Sequence, residues 1–158
     1  MKKYFNTTGL CIPELHYMVN IDNKLDKISA LIDRGSYFVI NKPRQYGKTT
    51  TLNSLESKIS GKYIVISLSF EGLGDVVFDN EKAFSNKFLH IMTKSLKYMY
   101  AAEFNILKRL SHQLEDLQDL SDVISDFVES CDRDVVLFID EVDKSSNNQL
   151  FLSFLDFK

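Results

Sequence analysis

The sequence predicts an α/β layered fold built on a parallel sheet. Short apolar runs rich in strand formers, at 37–40, 63–68 and 135–139, alternate with longer stretches of helical periodicity. The run Val135-Val136-Leu137-Phe138-Ile139 is apolar throughout, the pattern of a strand buried on both faces. The length, 158 residues, allows one domain and leaves no room for a second full-sized one.

Composition narrows the class. Hydrophobic residues make up 44% and charged residues 26%, which excludes a disordered tail, a collagen-like chain and a disulfide scaffold. The formal net charge of −3 gives no global basic field to attract nucleic acid. Cys11 and Cys131 have no metal-ligand spacing and read as reduced thiols of a cytoplasmic protein. Asn6, Thr7, Thr8 and Pro13 interrupt any apolar leader, and no stretch approaches the ~20 apolar residues of a membrane span.

Taken in order, residues 1–21 read as irregular, with Gly9 and Pro13 as breakers. A helix fits 22–34, with Asp22 as N-cap, Leu25, Ile28, Leu31 and Ile32 on one face, and Gly35 at its stop. The strand at 37–41 follows, then a turn-like segment from Lys42 to Gly47 and a helix from Lys48 to Ile59 carrying Leu52, Leu55 and Ile59. A second strand spans 63–68, and 71–80 reads as a loop. Helices are predicted over 81–100, with Phe84, Phe88, Ile91, Leu96 and Met99 facing the core, and over 103–118. Ser121 or Asp119 caps a shorter helix carrying Val123, Ile124, Phe127 and Val128. After the 135–139 strand, Asn147 to Lys158 is again helical.

In such a fold ligands bind beyond the carboxyl ends of the strands. Two constellations stand there. After the first strand comes Lys42-Pro43-Arg44-Gln45-Tyr46-Gly47-Lys48-Thr49, which matches G-x-x-x-x-G-K-[ST] except that Lys42 replaces the first glycine. Gly47 permits a backbone that a side chain would forbid. The amides of Gln45, Tyr46, Gly47, Lys48 and Thr49 can converge on an anion at a helix start. Lys48 supplies a cation for the β- and γ-phosphates, and the Thr49 hydroxyl is a ligand for Mg²⁺. Thr50 completes the loop-to-helix segment. The bland alternative is a plain turn into a helix, and the flanking strand and helix weigh against it.

The second constellation is the apolar run ending in Asp140-Glu141, the Walker B form of hydrolytic P-loop ATPases. Asp140 can hold Mg²⁺ through its water shell, and Glu141 can take a proton from the attacking water or orient it. The alternative is a buried strand whose exit carries solvated acids. A parallel sheet is expected to bring both acids beside the phosphate loop. No acid follows Asn41-Lys42 in the spacing guanine recognition needs, so adenine is favoured.

The run Tyr37-Phe38-Val39-Ile40-Asn41-Lys42-Pro43-Arg44-Gln45-Tyr46-Gly47-Lys48-Thr49-Thr50 resembles the prokaryotic AAA-like ATPases of the AAA and STAND-type branch, whose loop reads Pro-Arg-Gln-x-Gly-Lys-Thr. The Asp140-Glu141-Val142-Asp143 ending is similar to that family's Walker B. The resemblance implies a P-loop NTPase three-layer sandwich, ATP and Mg²⁺ as ligands, and an adenine pocket lined near Met18 and Val19. It also implies a further strand after Walker B, inserted between the phosphate-loop strand and the Walker B strand.

Residues 1–158 are therefore expected to be the N-terminal part of one AAA-like domain, weakly stable and feebly active alone. Arg44, Arg109 and Arg133 are present, and sequence assigns none of them as an arginine finger. The leading expectation is ATP binding with Mg²⁺-dependent hydrolysis, as the switch or motor of a larger protein, with self-association or a downstream effector domain as partner. A nucleotide- or partner-binding module without turnover is the alternative. A phosphate-transferring kinase is the third reading, and it lacks a visible arginine-bearing lid.

Overall fold

A computed structural model describes residues 2–6, 12, 14–17, 19–41, 47–142 and 149–156. The chain divides into two compact units, Met1–Gly61 and Lys62–Lys158.

In the first unit, Tyr4 and His16 form a parallel bridge. The Tyr4 amide donates to the Leu15 carbonyl at 3.1 Å, and the Tyr17 amide donates to the Tyr4 carbonyl at 3.0 Å. Buried His16 accepts the Ile12 amide on Nδ1 at 2.8 Å, which places its ring proton on Nε2. Helix α1 spans Asp22–Ile32 and buries Leu25, Ile28 and Ile32. Its N-cap is Ile21 rather than Asp22. Asn20 Oδ1 accepts the Asp22 amide instead, so the polar group expected at the cap lies two residues upstream. The helix stops as the glycine predicts. Gly35 has φ +65°, its amide donates to Ile32, and the Ser36 amide donates to Leu31, a Schellman closure. Helix α2 spans Lys48–Ile59, the predicted bounds, and buries Thr51, Leu55 and Ile59.

The expected strand at 37–41 forms no ladder among the described residues. Phe38 and Ile40 are half-buried, while Tyr37 and Val39 are exposed. The alternation of a strand is present. Local preference for extended backbone does not itself supply a neighbour to pair with.

The second unit holds the sheet. Strand β1 (Ile64–Ser69) pairs in parallel with β2 (Val135–Asp140), from Ile64 opposite Val135 to Ser69 opposite Asp140. Parallel neighbours need a long crossover, here α3 (Glu81–Leu96), α4 (Ala101–Leu110) and α5 (Leu117–Glu129). The 71–80 loop contains a single 3-10 turn, Asp75–Phe78. Side-chain caps start two of the helices. Asn80 accepts the Ala83 amide, and Asp116, rather than Ser121 or Asp119, accepts the Asp119 amide. Helix α6 spans Gln149–Asp156.

The core packs Ile64, Ile66 and Leu68 of β1 against Phe84, Phe88 and Leu96 of α3, Leu107 of α4, and Leu120 and Phe127 of α5. Phe70, Phe78, Phe84 and Phe88 meet mainly edge-on or tilted, and Phe154 of α6 closes on Phe88 at 4.7 Å between centroids.

The two strands differ in burial. Four of the six β1 residues are buried, whereas in β2 only Phe138 is, and Leu137 is exposed. The continuous apolar run of β2 therefore does not lie buried on both faces as expected. The outer edge of β1 is closed by side chains. The Val65 amide donates to the Tyr100 hydroxyl at 3.2 Å, and the Ser95 hydroxyl donates to the Ser67 carbonyl at 3.0 Å. Helix α3 ends at Leu96 rather than 100, which leaves Met99 exposed and turns Tyr100 inward to that edge.

Candidate functional site

The first constellation begins at Gly47. Its φ is +71°, left-handed backbone, and it stands immediately before Lys48, the first residue of α2. Among the described residues an added Cβ would meet nothing closer than Thr50 Cβ at 4.0 Å, and the left-handed backbone itself favours glycine here. The Gly47 carbonyl is held by Thr51, whose amide donates at 2.9 Å and whose hydroxyl donates at 2.8 Å. Thr51 is buried and was not among the expected site residues. Its position one turn after the glycine, where a hydroxyl reaches back to an i−4 carbonyl, was the signal.

The N-cap Gly47 has no side chain to cap α2, and none of the residues in its first turn is acidic, so no first-turn carboxylate opposes the positive end of the helix. Lys48 and Thr50 are half-buried, and Thr49 is exposed. Gln45, Tyr46 and Met18 lie outside the described residues, as does the loop entry from Lys42 to Arg44. Val19 is 83% exposed.

The second constellation stands at the carboxyl end of β2. Asp140 is the last strand residue, paired in register with Ser69 of β1. Its carbonyl accepts the Phe70 amide at 3.1 Å, which fixes its backbone in the ladder. Its carboxylate Oδ1 accepts the Glu141 amide at 2.9 Å. Glu141 has φ 58°, and both acids are half-buried. Ser69 was not anticipated either, although a serine closing an apolar strand at the level of the acidic strand's end was legible. Asp143 lies outside the described residues.

The two constellations fall in separate compact units, the first in Met1–Gly61 and the second in Lys62–Lys158, and each geometry holds within its own unit. Of the arginines, Arg133 lies 3.8 Å from a Glu103 carboxylate oxygen and faces the Tyr100 ring, so it serves the fold of the second unit.

The Thr49 hydroxyl of the first unit and the Asp140 carboxylate of the second are each hard oxygen donors, the type that Mg²⁺ takes. Among the described residues no cluster of three or more His, Cys, Asp or Glu forms a dedicated metal cage. Among the same residues no helix is long and apolar enough to cross a membrane. No family model matches the chain, and no curated protein or solved structure matches it.

Proposed function

We propose that the chain is an ATP-binding module of the P-loop class that hydrolyses ATP with Mg²⁺, and that it resembles the AAA-like ATPases in kind. The observation that carries the reading is Gly47. Left-handed backbone stands directly before a helix that opens with Lys48 and Thr49 and lacks both a side-chain cap and a first-turn acid. That is the phosphate-contacting half of the loop, with its amides, a cation and a hydroxyl in sequence.

Two further observations support it. An Asp-Glu pair stands at the carboxyl end of a parallel strand, where such sheets present their ligands. The strand order also suits the class. Tyr100 and Ser95 close the far edge of β1, which makes β1 a terminal strand beside the acidic strand β2. In the AAA-like arrangement further strands join on the side of the acidic strand.

In this reading Lys48 neutralises the β- and γ-phosphates, and Thr49 and Asp140 serve the magnesium, which supplies charge neutralisation on the phosphates when bound. Glu141 orients the attacking water and accepts its proton. The test is phosphate release from Mg-ATP with and without a small acceptor alcohol, on the chain and on Glu141→Gln. Acceptor-independent release that Glu141→Gln slows by about 100-fold or more supports hydrolysis with Glu141 as base. Binding without release makes the chain a nucleotide-binding module, and acceptor-dependent transfer makes it a kinase.

A further inference from the structure

We propose that α3 and α4 present a basic face that binds the phosphate backbone of nucleic acid, with the groove between the two helices as its seat. The face belongs to the second unit alone, and its binding does not depend on the ATP reading.

Charge is segregated along the chain. Residues 82–114 carry six lysines and arginines against one carboxylate, Glu103, in a protein whose formal net charge is −3. Glu103 is half-buried and lies 3.8 Å from Arg133. Lys82 pairs with Glu115 at 2.8 Å and leaves the set. Lys97 and Lys108 stand over the Tyr98 and Phe104 rings rather than beside an acid, and Lys87, Lys94 and Arg109 form no ion pair among the described residues. The helix dipole favours Lys94, Lys108 and Arg109 in the last turns of α3 and α4. It gives no reason for the want of acids over the whole stretch. Cations three residues apart, such as Lys94 and Lys97, repel one another, so the fold gains nothing from crowding them.

The cations are also ordered in space. Lys87, His90, Lys94 and Lys97 follow at three- and four-residue steps, which puts them on one side of α3 over about 15 Å. His90 sits on the rim of a groove of about 240 Å³, and Lys108 and His112 stand on its other side. No carboxylate lines that groove among the described residues. Its other polar groups are spent on the backbone. The Asn86 amide donates to the Lys82 and Leu114 carbonyls, and the Thr93 and Ser111 hydroxyls donate to the Leu89 and Leu107 carbonyls. His112 Nδ1 donates to the Leu110 carbonyl at 3.0 Å, which holds the ring in place. Lys108 and His90 are left to meet a ligand.

The character of the face selects among anionic partners. Protein interfaces are poor in lysine and centre on buried apolar anchors. Here the exposed large apolar side chains are Tyr98 and Met99, both beyond the end of α3, and the groove itself has none. A membrane-surface helix needs an apolar face to insert, which this side of α3 lacks. A polar, open, lysine-rich row suits a chain of phosphates, read without regard to base sequence.

Fluorescence anisotropy tests this with a labelled oligothymidylate and a labelled duplex, each of about 20 nucleotides per strand, titrated over a salt series. The unaltered chain should bind at least one of them, with a dissociation constant of about 10⁻⁴–10⁻⁶ M that weakens as salt rises. Lys94→Gln with Lys108→Gln, both at exposed positions, should lower the salt slope by about two. Lys2→Gln with Lys27→Gln, two exposed lysines of the first unit, removes the same charge and should leave the slope unchanged. No binding of either probe, or equal losses in the two double variants, would overturn the proposal. Tighter binding to phosphatidylserine vesicles than to either probe would assign the face to a membrane instead. An oligomer in sedimentation that Lys94→Gln with Lys108→Gln dissolves would assign it to the acidic stretch 115–134 of a second copy.

Discussion

The Tyr100 hydroxyl accepts the Val65 amide at 3.2 Å and closes the outer edge of β1. Both residues are buried, so water is a poor substitute for either partner. Tyr100→Phe keeps the ring against the core and leaves a buried N–H unpaired. We expect a loss of about 1–3 kcal/mol in denaturant unfolding of the chain. A change inside experimental error would show that this edge does not depend on the hydroxyl.

Gly47→Ala tests the loop's backbone. No described residue crowds the Cβ position, and the penalty of φ +71° should be about 1 kcal/mol after the gain in unfolded-chain entropy. Gly61→Ala is the control. Nothing lies within 4 Å of its Cβ position and its φ is not in the left-handed range, so it should be neutral or stabilise by about 0.4–1 kcal/mol. Equal effects at the two sites, by chemical denaturation, would remove the special status of Gly47.

Much of this was legible in the sequence, and the parts that were not share one physical cause. The α2 bounds were readable because a glycine and an apolar i, i+4 pair, Leu55 and Ile59, are local signals. The helix expected over 103–118 stops at Leu110 for a non-local reason. Asn86 of α3 takes both backbone groups of Leu114, donating from Nδ2 at 2.7 Å and accepting on Oδ1 at 3.1 Å. That clamp holds the chain out of the helix until Asp116 caps α5, and periodicity carries no trace of it. The same holds at 37–41, where β-forming residues mark extended chain without naming a partner, and at β2, whose apolar run resembles a strand buried on both faces. Of the site, the residue types at 47–49 and 140–141 were readable, whereas the left-handed φ of Glu141 was not, because glutamate is a poor signal for it.

Cys131 gives a pH-dependent prediction. Burial first, then the Glu103 and Asp132 carboxylates, push its thiol above the ordinary cysteine range, with Arg133 opposing. A raised folded-state value means the folded chain keeps its proton to higher pH than the unfolded chain does. The stabilisation is present below the unfolded thiol's titration and is lost as pH rises through it toward the folded value. In a Cys11→Ser background, Cys131 should therefore react with iodoacetamide more slowly than a free thiol at pH 8, and stability should decline on the alkaline side. Alkylation at the free-thiol rate would contradict the assignment.

Calorimetry with Mg-ATP on the unaltered chain and on Lys48→Ala tests the central claim most directly. Lys48 is the one loop cation with a described position at the α2 start, and its removal leaves Gly47, Thr49 and the helix in place. The account predicts saturable binding by the unaltered chain and a loss of at least ten-fold in affinity, about 1.4 kcal/mol, for a still-folded Lys48→Ala. Equal affinities, or no binding by the unaltered chain, would contradict it.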